Sequence, residues 1–408
     1  MKHLFHSICP HHKENIKIKM SKWADLPHDI LIEIIRRLSI YDDFVIFAAV
    51  CKSWQSVYSL ENPPLSPLSP RCPWLLLAEE NEQSIKESRG FFNLTDSKVY
   101  NFKLPELVGK KCFGTSFGWL LSIGTDFEMN LFHPFSKHLL SLPPQPYFSD
   151  SDSEVDDRNF ELDPIDYTDI YVYKCVLSRN PWSFVTHEYD CDCIIMVIYS
   201  NYHTLAFTRP GNKAWNNIKS QSRCFDDIAL YKGKFYAIDC HGKVFVCQIN
   251  DDIAFTEPIA FYNGTEDFIP KYIVESSGDL LLVSRRRGGS YLLEEELIED
   301  NPIVTIGFTI VKLECSTEVG SEDEYKWVNI DSLGDQALFV GGNSSVCLSA
   351  SRLNGWKANS IYFTDDNREF HHWTLNGGGY DMGVFSLEDG SIKQHYQGKS
   401  LSYFSPPI

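Results

Sequence analysis

The sequence predicts a multidomain protein: a small all-α helical bundle followed by an all-β propeller of about six blades. Apolar residues recur at helical spacing near the N-terminus, and no later segment repeats that pattern over the length of an ordinary helix. A dense Pro/Ser stretch then separates this part from the rest. Beyond it, short apolar or alternating runs follow one another, divided by Gly, Asn and Asp turns.

Residues 1–20 are polar and His-containing and read as a disordered N-terminal segment, with Met20 an alternative first residue. Cys9, His11 and His12 cluster there, but their spacing matches no closed four-ligand zinc site. The helical domain spans 21–61. Leu26, Ile30, Leu31, Ile34, Ile35 and Leu38 share one broad face. Pro27 falls in the first turn, where a missing N–H costs nothing. Asp29 and Glu33 lie toward the N-terminus of this helix and Arg36 and Arg37 toward its C-terminus, as the helix dipole favours. Asp42 is a suitable N-cap for a second helix over 43–50, and Trp54 and Val57 are further anchors.

Residues 62–73 form a linker in which Pro63, Pro64, Pro67, Pro70 and Pro73 exclude a helix or a central strand. The β domain occupies 74–408. Strands are expected at 74–77, 193–199, 234–238, 243–249, 280–284, 305–313 and 337–340. Tyr231-Lys232-Gly233-Lys234 and Ser276-Ser277-Gly278-Asp279 have the composition of tight hairpin turns. Ala214-Trp215-Asn216-Asn217-Ile218 resembles Lys326-Trp327-Val328-Asn329-Ile330, and Leu139-Leu140-Ser141-Leu142 reads as a degenerate copy. Turn glycines Gly233, Gly278, Gly334 and Gly383 recur at roughly 45–55 residues, close to the blade periods of propellers. Radial repetition also spares most strands an exposed edge. An acidic insertion at 149–169, with nine acidic residues and one Arg, reads as a solvated loop. A second acidic loop is expected at 314–325.

Composition narrows the function classes. The net charge is -18, so phosphate backbones repel the chain and nucleic acid is not an expected partner. No stretch approaches the apolar length of a membrane span, and no secretory signal opens the chain. The 12 cysteines are scattered without a CxxC pair, which fits buried thiols in the cytosol or nucleus.

Leu26-Pro27-His28-Asp29-Ile30-Leu31, then Ile34, Leu38, Asp42 or Asp43 and Val50-Cys51-Lys52-Ser53-Trp54, is similar to an F-box in order and spacing. The resemblance implies a helical bundle that binds the Skp-type adaptor of a cullin-RING ubiquitin ligase. It implies adaptor contacts from Leu26, Pro27, Ile30, Leu31, Ile34 and Trp54. Elementary physics points the same way: a module this small carries more large apolar residues than its own core hides, and such surplus marks a partner site.

The C-terminal region is similar to the β-propeller of plant F-box proteins of the KIB type. The matching stretches include Gly114-Thr115-Ser116-Phe117-Gly118-Trp119-Leu120, Leu131-Phe132-His133-Pro134-Phe135, Phe225-Asp226-Asp227-Ile228-Ala229-Leu230-Tyr231, Leu333-Gly334-Asp335-Gln336-Ala337-Leu338 and Asn359-Ser360-Ile361-Tyr362-Phe363. The resemblance implies a substrate-recognition subunit whose propeller presents an unidentified protein for ubiquitination. The alternatives are a Skp-binding scaffold that degrades nothing, and a propeller hydrolase.

The sequence holds no GxSxG, P-loop, HExxH or DxDxDG pattern. No catalytic residue, cofactor or metal is therefore expected. His371-His372 near Asp365-Asp366 does not form a chelating pair on a strand, because neighbouring side chains point to opposite faces. Cys191 and Cys193 are expected on one strand face as a core pair. Arg285-Arg286-Arg287 reads as a solvated hairpin or loop. The substrate surface is expected on a propeller rim, with Trp182, Arg285, Arg286, Arg287, Trp356 and His372 as candidate contacts.

Overall fold

The structure, a computed structural model, describes residues 23, 26–37, 47, 50–61, 73–77, 87–94, 97–144, 172–264, 269–288, 304–315, 325–352, 356–366 and 381–396, apart from positions 125, 135, 184, 185, 187, 201, 251 and 252. The expected disordered segment 1–20, the acidic insertion 149–169 and His372 lie outside the described residues. So do nearly all of the Pro/Ser linker and most of the second acidic loop. Two compact units divide the chain, 1–69 and 70–408.

The first unit contains α1 (His28–Arg37) and α2 (Lys52–Glu61). The first helical hydrogen bond runs from the Leu31 N–H to the Pro27 carbonyl at 3.1 Å, so Pro27 stands where its missing N–H leaves no gap. Leu31, Ile35, Phe47, Trp54 and Val57 form its core.

The second unit is a six-bladed propeller. Blade 1 is β1 (Trp74–Leu76), β2 (Ser88–Asn93) and β3 (Lys98–Lys103). Blade 2 is β4 (Lys111–Gly114), β5 (Leu120–Ile123), β6 (Met129–Phe132) and β7 (Leu139–Ser141). Blade 3 begins with β8 (Val172–Leu177). A small hairpin, β9 (Trp182–Ser183) with β10 (Glu188–Tyr189), precedes its remaining strands, β11 (Ile195–Tyr199), β12 (Thr204–Thr208) and β13 (Asn216–Asn217). Blade 4 is β14 (Phe225–Tyr231), β15 (Lys234–Asp239), β16 (Lys243–Asn250) and β17 (Ile253–Phe261). Blade 5 is β18 (Lys271–Ser276), β19 (Asp279–Gly288), β20 (Val304–Cys315) and β21 (Tyr325–Asn329).

The core is laid down between blades rather than at one centre. Ile195, Val197 and Tyr199 of β11 pack toward blade 2 beside Trp119 and Leu131. The alternate residues Met196 and Ile198 pack toward blade 4 beside Ile228 and Phe245. A strand buried on both faces needs a continuous apolar run, and Ile195-Met196-Val197-Ile198-Tyr199 is one. The same division puts Ile273, Leu280 and Leu282 against blade 4, and Val274, Leu281 and Val283 against blade 6.

The expected hairpin turns occur where the sequence places them. Lys232 and Gly233 have φ of 47° and 77°, and Ser277 and Gly278 have 51° and 88°. Positive φ at both central residues suits the right-handed twist of the flanking strands. Each turn joins the first and second strands of its blade. Gly383 departs from this pattern: it lies inside a strand, where an added Cβ would meet the Lys393 carbonyl oxygen at 2.7 Å.

Blade 6 is not a simple meander. Its strands are β22 (Gln336–Val340), β23 (Val346–Ser349), β24 (Ser360–Phe363), β25 (Gly383–Ser386) and β26 (Ile392–Lys393), in the spatial order β23-β22-β24-β25-β26. β22 pairs antiparallel with β23 but parallel with β24. The hairpin strand β23 reaches blade 5, where the Cys347 thiol donates to Ser276 Oγ at 3.1 Å. After β26 the chain packs Tyr396 on Phe92 of blade 1, with ring centroids 4.8 Å apart, which ties the last blade to the first.

Candidate partner-binding sites

On the helical module the amphipathic pattern is resolved residue by residue. Leu31 and Ile35 are fully buried against Phe47, Trp54 and Val57. Trp54 and Phe47 rings lie 4.5 Å apart, and the Trp54 indole N–H donates to the Trp23 carbonyl at 2.9 Å. Leu31 and Trp54, expected as adaptor contacts, are therefore placed in the module's own core. Burying Trp54 removes a large apolar ring from water, and its one polar atom is used inside the module. Leu26 and Ile34 are half-buried, whereas Pro27 is exposed and Ile30 is 44 % exposed. Val50 and Trp23 remain 45 % and 60 % exposed.

The propeller candidates are sorted differently from the sequence expectation. Arg285, Arg286 and Arg287 are not on a loop but in β19. Strand alternation turns Arg285 inward to complete burial and leaves Arg286 exposed. The Arg285 guanidinium donates to the Asp381 carboxylate at 3.0 Å and its carbonyl at 2.9 Å. It also donates to Asp366 Oδ1 at 2.9 Å, the Thr364 carbonyl at 2.8 Å and Thr305 Oγ1 at 2.7 Å. Tyr272 donates its hydroxyl to Asp366, and Arg287 forms an ion pair with the same carboxylate. Burial pushes the Asp366 carboxyl up, but the Arg285 and Arg287 cations more than reverse this and hold it below the ordinary range. Arg285 is thus a brace between blades 5 and 6 and offers no surface to a substrate. A buried Arg with this many acceptors keeps its charge compensated.

Trp182 stands on the small hairpin of blade 3, half-buried against His138 with ring centroids 4.0 Å apart. Trp356 is also half-buried and packs against Phe339 and Tyr362 of blade 6. Trp182 thus belongs to blade 3 and Trp356 to blade 6, whereas the arginines stand on blade 5. The expected Cys191/Cys193 pair also separates. Cys193 is fully buried, donating its thiol to the Arg179 carbonyl at 3.2 Å, while Cys191 lies exposed in the turn before β11.

The propeller axis shows what sequence reasoning missed. The first strands β4, β8, β14 and β18 adjoin one another around it, with β23 beside β18. Residues 341–345, the loop between β22 and β23, cross this ring. Asn343 Oδ1 accepts the Gly114 N–H at 2.7 Å, and Ser344 Oγ donates to the Cys175 carbonyl at 2.7 Å. Ser345 Oγ donates to Asp227 Oδ2 at 3.1 Å. Lys174, itself buried, pairs with Asp227 at 2.6 Å and donates to the Gly341 carbonyl at 3.4 Å. One short loop therefore ties blades 2, 3, 4 and 6 together by hydrogen bonds. The only sequence hint is the small, polar composition Gly341-Gly342-Asn343-Ser344-Ser345.

Among the described residues, no group of three or more His, Cys, Asp or Glu is placed to hold a metal ion. Among the same residues, no helix is long and apolar enough to cross a membrane.

The fold defines a two-part protein, a small helical module followed by a six-bladed propeller. A family model described as F-box domain matches residues 23–61, and one described as KIB1-4 beta-propeller matches residues 91–386. The chain belongs to the F-box proteins with a KIB1-4 β-propeller. The F-box protein At2g26160 of Arabidopsis thaliana is 26 % identical over 364 residues, covering 85 % of this chain and 97 % of the relative. The F-box protein SKIP23 of the same plant is 26 % identical over 395 residues, covering 92 % and 91 %. Among solved structures, the β-propeller domain of Myceliophteria thermophila Cps50 (Swd1) aligns at a TM-score of 0.34 and 9 % identity, covering 79 % of this chain and 89 % of that one. A likeness that loose carries no argument.

Proposed function

We propose that this chain is the substrate-recognition subunit of a Skp/cullin/F-box ubiquitin ligase. The observation that carries the reading is the set of exposed apolar residues on the helical module, Trp23, Ile30, Val50 and Pro27, among its described residues. A 10-residue helix that buries Leu31 and Ile35 inward and shows Ile30 outward has a second face to offer a partner. That partner is the Skp-type adaptor, through Leu26, Pro27, Ile30 and Ile34. The propeller supplies a rigid platform for a target protein. It needs no catalytic residue, because positioning a target lysine near the ligase's thioester raises its effective concentration. The site of action is the cytosol or nucleus.

A reconstituted mixture with the Skp-type adaptor, cullin and RING subunit tests the reading. The full chain should co-elute with the cullin, and Leu26→Ala/Pro27→Ala should not. Co-elution without ubiquitin transfer to captured proteins would turn the reading toward a non-degradative scaffold. Absence of co-elution would remove the ligase role.

A further inference from the structure

Cys224 and Cys240 meet across the start of blade 4. Strands β14 and β15 pair Phe225 with Asp239, so one step outward Cys224 stands opposite Cys240. The Cys240 N–H donates to the Cys224 carbonyl at 2.8 Å, which continues the ladder through this pair. Directly opposed antiparallel residues joined by ladder hydrogen bonds have Cα atoms about 5.5 Å apart. A disulfide requires Cα atoms roughly 4.4–6.8 Å apart, a window that includes cross-strand spacings of this kind.

Access is asymmetric. Cys240 is buried, whereas Cys224 is half-exposed. Cys224 has φ of 72°, and its N–H turns away from the ladder to the Tyr202 carbonyl at 2.8 Å. A small oxidant therefore reaches Cys224 first.

The surroundings favour the thiol form at both positions. Burial pushes both thiols up, Cys240 to about 12. The Lys271 ammonium, which donates to the Cys240 carbonyl at 2.7 Å, favours the Cys224 thiolate, while Asp226 and Asp239 oppose it.

We propose that Cys224 and Cys240 form a peroxide-oxidisable dithiol, closing to a cross-strand disulfide at the start of blade 4. The Cys224 thiolate attacks one oxygen of hydrogen peroxide and the O–O bond breaks. Hydroxide leaves and takes up a proton as water, and Cys224 becomes a sulfenic acid. The Cys240 sulfur then attacks the Cys224 sulfur. The S–O bond breaks, the Cys240 proton accompanies the departing hydroxyl, and a second water leaves. The two thiols lose two hydrogens in all, and one peroxide becomes two waters. The bond staples the entry segment of β14 to the end of β15. There the Asp239 carboxylate already gathers the His241 and Lys243 N–H groups at 3.1 and 2.8 Å and the Ser222 hydroxyl.

The test is a hydrogen peroxide titration of the reduced full chain, quenched by alkylation in denaturant and read by peptide mass mapping. The expected product links the Cys224 and Cys240 peptides, two hydrogens lighter than their sum, and is reversed by a phosphine reductant. In Cys224→Ser the link is absent and Cys240 stays fully alkylatable. Because Cys224 is half-exposed, that variant tests the proposal even where buried Cys240→Ser fails to fold. Where Cys240→Ser does fold, a sulfenic-acid trap should label Cys224. Both thiols fully alkylatable at peroxide doses that oxidise exposed Cys191 would overturn the proposal, as would Cys224 linked to another cysteine.

Discussion

The indole N–H of Trp327 donates to the Phe261 carbonyl at 2.9 Å, joining the outer strand of blade 5 to the end of the outer strand of blade 4. Trp215 makes the equivalent bond one blade pair earlier, donating to the Pro143 carbonyl just past β7 at 3.1 Å. The weak sequence repeat thus has a physical meaning. Its copies at 139–142, 214–218 and 326–330 fall on the outermost strands of blades 2, 3 and 5, and in the latter two the Trp clasps the blade before.

Trp327→Phe keeps most of the ring and removes the donor. Denaturant unfolding should show a loss of about 1 kcal/mol. Trp215→Phe should cost a similar amount, and the double variant should cost their sum, because the two clasps share no partner.

The three adjacent arginines should respond very differently to the same substitution. Arg285→Ala leaves Asp381 and Asp366 short of their buried cation and should cost about 3–5 kcal/mol. Arg286→Ala, at an exposed position, should stay within about 0.5 kcal/mol. Thermal unfolding of the two variants side by side separates brace from surface.

Two half-buried groups set opposite slopes of stability with pH. His395 accepts no charge easily: burial lowers it to about 4 despite its bond to the Phe363 carbonyl at 3.1 Å. The unfolded chain takes up that proton first, so stability is present above about pH 6.5 and is lost as pH falls toward 4. His395→Gln should flatten this acid limb in unfolding experiments between pH 7 and 4.

Asp226 works the other way. Burial raises it to about 7, against the pull of Lys271 at 3.7 Å, and its Oδ2 has no hydrogen-bond donor. The folded protein holds a proton there that the unfolded chain loses near pH 4, so stability declines as pH rises through 7. Asp226→Asn, which imitates the protonated carboxyl, should gain on the natural chain as pH rises from 6 to 8, by about 1 kcal/mol or more.

Local chemistry made much of this fold legible. The Lys232-Gly233 and Ser277-Gly278 turns, the run from Ile195 to Tyr199 and the Leu31/Ile35 helix face all need only neighbours in sequence. What stayed hidden depends on distant partners. Arg285 reads as a solvated cation until Asp366 and Asp381, 81 and 96 residues away, fold around it. The parallel pairing of β22 with β24 carries no periodic signature in the sequence. The docking motif itself was readable, but motif resemblance could not separate core from surface. Leu31 and Trp54 share the signature with Ile30 and Pro27 and yet point inward.

The central claim is docking on the Skp-type adaptor, and the most direct measurement is a calorimetric titration of that adaptor into the full chain and into Ile30→Ala. An exposed residue at the centre of a docking face typically contributes about 2 kcal/mol, so the variant should bind roughly thirtyfold more weakly at unchanged stability. Equal affinity for both chains, or no binding by the natural one, would contradict the docking face described above.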